Sequence, residues 1–289
     1  MKNVSKSKEL EQCDFVKLLL MGFVVLYHSM AFWKGNWFVK EPEEQSHVLK
    51  YFSMWLNTFH IYGFTLVSGY IFQTMKFEKH KYQDFGVFLT NKAKRLLVPL
   101  CFIEIIWALP FYALIFKPTI STLVKKFLLM ESPSQLWFLG MLFVLFLIYW
   151  PISNAINKNW TSGGVIIFII YCLGTIGSKF FPNYFQIWTA MKYVPFFYIG
   201  GYIRKSKNCV IYRVPTVIYL IVHVTMFLLW IYLTDKGVKA LIILCNLLLC
   251  MIGAIGAFVI FQRMAEKIDT KNPVLQFGYK HSMTIYLFH

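Results

Sequence analysis

Charge is what this sequence has least of. Only 15% of its 289 residues are Asp, Glu, Lys or Arg, while 58% are hydrophobic and 19% aromatic; an ordinary soluble domain carries roughly 25% charge. That composition excludes a soluble globular domain. Carboxylates are scarcer still, with thirteen Asp and Glu against twenty-nine Lys and Arg and a formal net charge of +16. The basic residues fall in short clusters between apolar runs, which suits membrane topology and not a nucleic-acid stripe. The six cysteines (Cys13, Cys101, Cys172, Cys209, Cys245 and Cys250) show no metal-ligand spacing and read as small hydrophobes, so no metal is expected. Internal repeats, linkers and low-complexity stretches are also missing. No cleavable signal is expected, because Phe15–Trp33 is too long for a signal core and lacks a small-residue cleavage site. One membrane domain over residues 1–289 is the expectation.

What is present is a series of apolar runs of about twenty residues, each long enough for a helix that crosses the hydrocarbon core with its backbone bonds satisfied internally. Eight are expected, near Phe15–Trp33, Tyr51–Thr74, Leu96–Phe116, Leu136–Ser153, Gly163–Phe181, Phe185–Ile203, Arg213–Thr234 and Ala240–Gln262. A ninth begins near Ser282 and stops after about eight residues where roughly twenty are needed. The fold class is therefore all-α, a polytopic membrane bundle of eight full spans and the start of a ninth. Thr119–Met130 is too short and too charged to cross and is expected in the interface. Lys2, Lys6 and Lys8, then Lys76, Lys79, Lys81, Lys92, Lys94 and Arg95, then Arg204, Lys205, Lys207 and Arg213 cluster in alternate connections. The positive-inside rule makes those cytoplasmic, and with them the N-terminus.

Ionisable residues inside spans are costly and are functional hypotheses by default. Lys17 and His28 are eleven positions apart, which separates them by about 20° of azimuth and roughly 16 Å of height, so they share one helix face. Asp14 lies one turn before Lys17 on the same stripe. One reading is structural: Lys17 snorkels to lipid phosphate and His28 hydrogen-bonds a neighbouring helix. The other is chemical, since an imidazole can take a proton from a hydroxyl or accept an acyl group.

The spacing of Lys17 and His28, with Asp14-Phe15 before it, resembles the opening helix of the acyltransferase family 3 membrane proteins, whose motif is Arg or Lys, ten residues, His. Five further blocks follow in order. Phe59-His60 through Ser68-Gly69-Tyr70 resembles the family's second-helix pattern, and Lys92-Ala93-Lys94-Arg95-Leu96-Leu97-Val98-Pro99 its basic run closed by Pro. Leu136-Trp137-Phe138-Leu139 is similar to its Trp-Phe-Leu motif. Pro195-Phe196-Phe197 with Gly201-Tyr202 and Arg204 is similar to its Pro-Phe-Phe…Gly-Tyr…Arg motif, and Gly278 with Ser282 through His289 to its last block. Tyr62 stands where the family often has Pro, and Lys92 where it has Arg. The chain ends on the last block's His, so a truncation of the final helices is expected.

The resemblance implies an integral-membrane O-acyltransferase, most simply an O-acetyltransferase. The donor is acetyl-CoA or another acyl-CoA, and the acceptor is a hydroxyl of a surface polysaccharide or lipid-linked glycan. It implies catalytic roles for His28 and His60, and donor binding by Lys17, Lys92, Arg95, Ser68 and Gly69, with Gly69 bending the chain beside the donor. Asp14, Glu104, Trp137, Tyr286 and His289 are further candidates. Glu104 could pair with Lys17 or another cation near the inner face. Structural alternatives stay open: a His60–Asn57 bond, close packing at Ser68-Gly69, and positive-inside anchoring by the Lys92–Arg95 run. His223 and Asn246 are expected to bond between helices. Expected surroundings are membrane lipids and glycan-assembly proteins, with no nucleic acid, in a multi-pass bacterial cell-membrane setting. The rival reading is a glycan exporter that lines its path with the same polar residues, although exporters more often show repeats and broken helices. An inactive truncated acyltransferase is the third.

Overall fold

The computed structural model describes residues 8–34, 44–131, 134–206 and 209–288. Among them the fold is all-α, with no strand. Twelve α-helices follow in order: α1 Lys8–Ser29, α2 His47–Leu56, α3 His60–Gln73, α4 Phe85–Ile103, α5 Leu109–Phe116, α6 Ile120–Leu123, α7 Trp137–Lys158, α8 Trp160–Phe180, α9 Ile187–Lys205, α10 Thr216–Lys236, α11 Lys239–Lys267 and α12 Pro273–Phe288. Five helical stretches are long and apolar enough to cross a membrane: Phe85–Phe116, Trp137–Lys158, Trp160–Phe180, Thr216–Lys236 and Lys239–Lys267. The chain forms two compact units, Met1–Ile71 with Ile199–His289, and Phe72–Tyr198.

Several boundaries differ from the sequence expectation, each for a local reason. The expected second span is two helices, α2 and α3, separated at Asn57–Phe59. Thr58 turns its hydroxyl onto the Trp55 carbonyl there (2.6 Å), the local side-chain bonding by which Thr competes with a regular helix. The helix expected to start at Leu96 starts at Phe85, where Asp84 caps it by accepting from the Val87 amide (2.7 Å). Lys92, Lys94 and Arg95 therefore lie inside α4 and not ahead of it. The last helix begins at Pro273 and not near Ser282. Asn272 accepts from the Val274 amide (2.9 Å), and a Pro at the first helical position gives up no needed donor. Its sixteen residues span about 24 Å, well beyond the half-span expected. The expected interfacial segment holds the short α6 and a π-helical turn, Val124–Leu128.

In the first unit α1 packs against α11 and α12, and α10 against α11. Small residues let these helices approach, as expected where apolar lipid gives no drive for association. α9 comes close to α3 at Gly200, where a Cβ would run into the Leu66 carbonyl oxygen. Arg204, near the end of α9, donates to Tyr70 Oη (3.1 Å) and pairs with Glu9 (2.9 Å), so the guanidinium fork ties three helices together.

The second unit is built on α7, which packs against α4 and α8. Its centre is aromatic: Phe72, Phe88, Phe146, Tyr149 and Phe197 are all buried, with ring centroids from 4.7 Å for Tyr149 and Phe197 to 6.1 Å for Phe72 and Phe146. Lys92 sits in this cluster, its ammonium 4.0 Å from the Phe146 ring centroid and 5.0 Å from that of Tyr82. Cation–π contact lets an apolar helix keep a lysine.

Lys76 departs further from expectation. Read from sequence as a cationic loop residue, it lies in a π-helical turn, Thr74–Glu78, directly after α3, and is 1% exposed. Its ammonium donates to Ser153 Oγ (2.6 Å) and the Trp150 carbonyl (3.2 Å) and stands 4.0 Å from the Trp150 ring centroid. No carboxylate partners it among the described residues. Burial pushes the group down to about 8, because desolvation penalises the charged form. The folded chain thus holds this proton less tightly than the unfolded chain, and stability rises with pH from about 8 to the ordinary lysine value near 10.5. Lys76→Met is expected to flatten that rise, read as the melting temperature in detergent across the same window; an unchanged slope would show that another group produces it.

Candidate functional site

Of the sequence-nominated residues of the first unit, His28 and His60 come together, at the end of α1 and the start of α3. With α1 beginning at Lys8, His28 falls in its last turn, about 30 Å along the helix. Lys17 and Asp14 lie on the preceding turns of the same helix and form an ion pair (2.6 Å) with side chains 26% and 16% exposed. The expected pairing of Lys17 with Glu104 is thus replaced by an acid on its own helix, one turn away, where i,i+3 side chains meet.

Tyr27 links the two histidines. Its ring centroid is 5.2 Å from that of His28, edge to face, and 5.0 Å from that of His60. Sequence reading passed over Tyr27, one of seventeen tyrosines in the chain. The signal was its place next to His28, one residue off the stripe. Tyr27 is buried, His60 almost completely so, and His28 partly exposed.

His60 is the first residue of α3. Its Nδ1 lies 2.6 Å from the Leu56 carbonyl. A carbonyl only accepts, so Nδ1 carries the proton and the lone pair of the neutral ring is on Nε2. The fixed carbonyl orients the ring as a carboxylate or carbonyl orients a basic histidine elsewhere. The expected Asn57 partner is replaced by the backbone: at the break after α2 the Leu56 carbonyl accepts both from the Phe59 amide (3.2 Å) and from the His60 ring.

Ser68 donates to the Phe64 carbonyl of its own helix (2.9 Å). α3 runs through Ser68 and Gly69 without a break, so no bend occurs at Gly69; the irregularity comes five residues later at Thr74–Glu78. Tyr286 is buried on α12, and His289 lies outside the described residues.

The other nominated residues belong to the second unit. Lys92 is engaged by the aromatic cluster, and Arg95 is exposed on α4. Trp137 opens α7 with its ring edge-on to Tyr193 (5.9 Å). Glu104 starts a π-helical turn, Glu104–Ala108, is 6% exposed, and its Oε1 has no hydrogen-bond partner among the described residues. His223 does bond between elements, to Thr58 (3.0 Å). Asn246 is met instead by Cys250 of its own helix (3.8 Å). Among the described residues no cluster of His, Cys, Asp or Glu could hold a metal ion.

Two imidazoles against one phenol, one of them locked in a single tautomer, form a group competent to accept and return a proton in a water-poor setting. Residues 10–289 match the family described as Acyltransferase domain. No curated protein matches, and no solved structure does.

Proposed function

Because the chain belongs to the acyltransferase family that it matches over residues 10–289, we propose that this membrane acyltransferase is an O-acetyltransferase, moving acetyl from acetyl-CoA to a hydroxyl of a surface polysaccharide or lipid-linked glycan. The observation that carries the reading is the grouping of His28 and His60 about Tyr27, with the His60 tautomer set by the Leu56 carbonyl. The acceptor hydroxyl loses its proton to an imidazole nitrogen as its oxygen bonds to the acyl carbon. The carbon–sulfur bond breaks, and the imidazolium returns the proton to the departing thiolate. Buried His60 is suited to the base, with its Nε2 carrying the lone pair; His28, more exposed, is placed to meet the incoming donor or acceptor.

Lys17, roughly 16 Å from His28 along α1, suits the donor's phosphates through charge-assisted bonds. The basic residues around the N-terminus favour a cytoplasmic N-terminus, and in that orientation Lys17 lies toward the side where acetyl-CoA is found. An exporter of the same glycan is disfavoured by the family.

The test is transfer of labelled acetyl from acetyl-CoA by membranes holding the full chain, with NMR of the surface polysaccharide as product readout. Acetate should appear on polysaccharide hydroxyls with the wild-type chain and vanish with His28→Ala. Equal acetylation with and without His28 sinks the reading.

A further inference from the structure

We infer that His223 of α10 is a positioning residue for His60: through Thr58 it holds the break between α2 and α3 in the form that offers the Leu56 carbonyl to the His60 ring. The inference deepens the acyl-transfer reading and rests on it, since it takes His60 as the base.

The break is built from two carbonyls that change partners. In an unbroken helix the Trp55 carbonyl would accept from the Phe59 amide and the Leu56 carbonyl from the His60 amide, each four residues on. Here Trp55 accepts from the amide of Thr58 (3.0 Å) and from its hydroxyl (2.6 Å). The Phe59 amide goes instead to Leu56 (3.2 Å), whose second lone pair takes the His60 Nδ1–H at 2.6 Å. The His60 contact depends on this register, and the Thr58 hydroxyl is the side-chain group that fixes it.

His223 decides what that hydroxyl does. A hydroxyl has one proton and two lone pairs. The proton goes to the Trp55 carbonyl, so in the 3.0 Å bond between Thr58 Oγ1 and His223 Nε2 the imidazole N–H donates and Thr58 accepts. Donation into Oγ1 fixes the hydroxyl rotor and strengthens its own bond to Trp55, as in any chain of hydrogen bonds. Thr58 and His223 are each 5% exposed, so a partner left alone by the loss of the other stays unmatched at full cost. The imidazole also packs on the two rings that flank the break, with centroids 5.6 Å from Trp55 and 5.9 Å from Phe59. α11 leaves room for it: a Cβ at Gly253 would come 2.6 Å from His223 Nε2 and 2.9 Å from the Phe59 Cβ.

The test uses the full chain in phosphatidylcholine nanodiscs with isotopically labelled histidine. The Nδ1–H resonance of His60, identified by its loss in His60→Asn, reports the bond to Leu56 with no substrate present. Thr58→Val and His223→Leu should shift that resonance or broaden it away. They should also lower kcat for acyl transfer by about 10- to 100-fold with the KM for acetyl-CoA little changed, as when a catalytic group is misplaced. Thr58→Ser keeps the hydroxyl, and His223→Gln can put an amide N–H where Nε2–H stands, so both should retain the resonance and most of the rate. In the His60→Asn background Thr58→Val should cost no further rate, whereas a general loss of packing would slow both backgrounds. A His60 resonance unchanged in Thr58→Val and His223→Leu overturns the inference. Loss of the resonance with transfer at the wild-type rate overturns instead the reading of His60 as the base.

Discussion

His60→Asn is expected to lower acyl transfer by about 10²–10⁴-fold while leaving the chain folded. The Asn amide can occupy the place of Nδ1 and donate to the Leu56 carbonyl, which now receives the ring at 2.6 Å. It has nothing at the position of Nε2 and cannot act as a base. His60→Gln is the converse variant: it can put an amide near Nε2 but loses the bond to Leu56, so it should lose both activity and some stability. Transfer rates and melting temperatures measured together separate the roles. If His60→Asn keeps wild-type transfer, His60 is a structural residue at the start of α3 and the base must be sought at His28. His28→Ala is expected to cost transfer to a similar extent with little change in melting, because His28 sits partly exposed in the last turn of α1 and removing it leaves no buried cavity of note.

Gly200→Ala is expected to destabilise the fold by roughly 3 kcal/mol or more. The added methyl would run into the Leu66 carbonyl oxygen and stand 2.8 Å from its carbon and 2.9 Å from the Tyr70 amide nitrogen. All three are backbone atoms in the interior of α3, so no side-chain rotation relieves the clash; α9 and α3 must separate. That separation would also pull Arg204 from Tyr70, since both contacts lie along the same pair of helices. Gly22→Ala is the control. Nothing lies within 4 Å of a Cβ at Gly22, and an Ala in a helix interior is better than Gly by about 0.5–1 kcal/mol. Melting in detergent, or the amount of folded protein recovered from membranes, should fall for Gly200→Ala and hold or rise for Gly22→Ala. Equal behaviour of the two would mean that α9 and α3 do not approach as described.

The residues that carry the candidate site were partly legible because their spacing is a one-helix property. Lys17 and His28 share a stripe by helix geometry alone, and Asp14 pairs with Lys17 one turn away. His60 was legible only as a member of a matched block. Its orientation by Leu56 was not, because it depends on a break between α2 and α3 inside a run whose apolar composition gives no warning. Tyr27 was hidden for a different reason: among twenty-nine Phe, seventeen Tyr and nine Trp, one more aromatic carries no signal until another helix brings His60 against it. Lys76 and Lys92 show the limits of charge as a boundary marker. Charge was read as the end of a span, yet aromatic rings hold Lys92 within α4, and Ser153 and Trp150 hold Lys76 out of solvent.

By itself the sequence determined that this is an all-α membrane protein of the acyltransferase family, since long apolar runs must be helical where no water can bond the backbone and the family motifs are local strings. Only the tertiary structure decided which polar groups meet. It brought His28 and His60 to one tyrosine, sent Arg204 to Glu9 and Tyr70, and left the Trp55 indole with no acceptor among the described residues. Helix periodicity assigns a residue to a face, but the partner of that face is set by close packing between helices distant in the chain, as where Gly200 allows α9 to touch the backbone of α3.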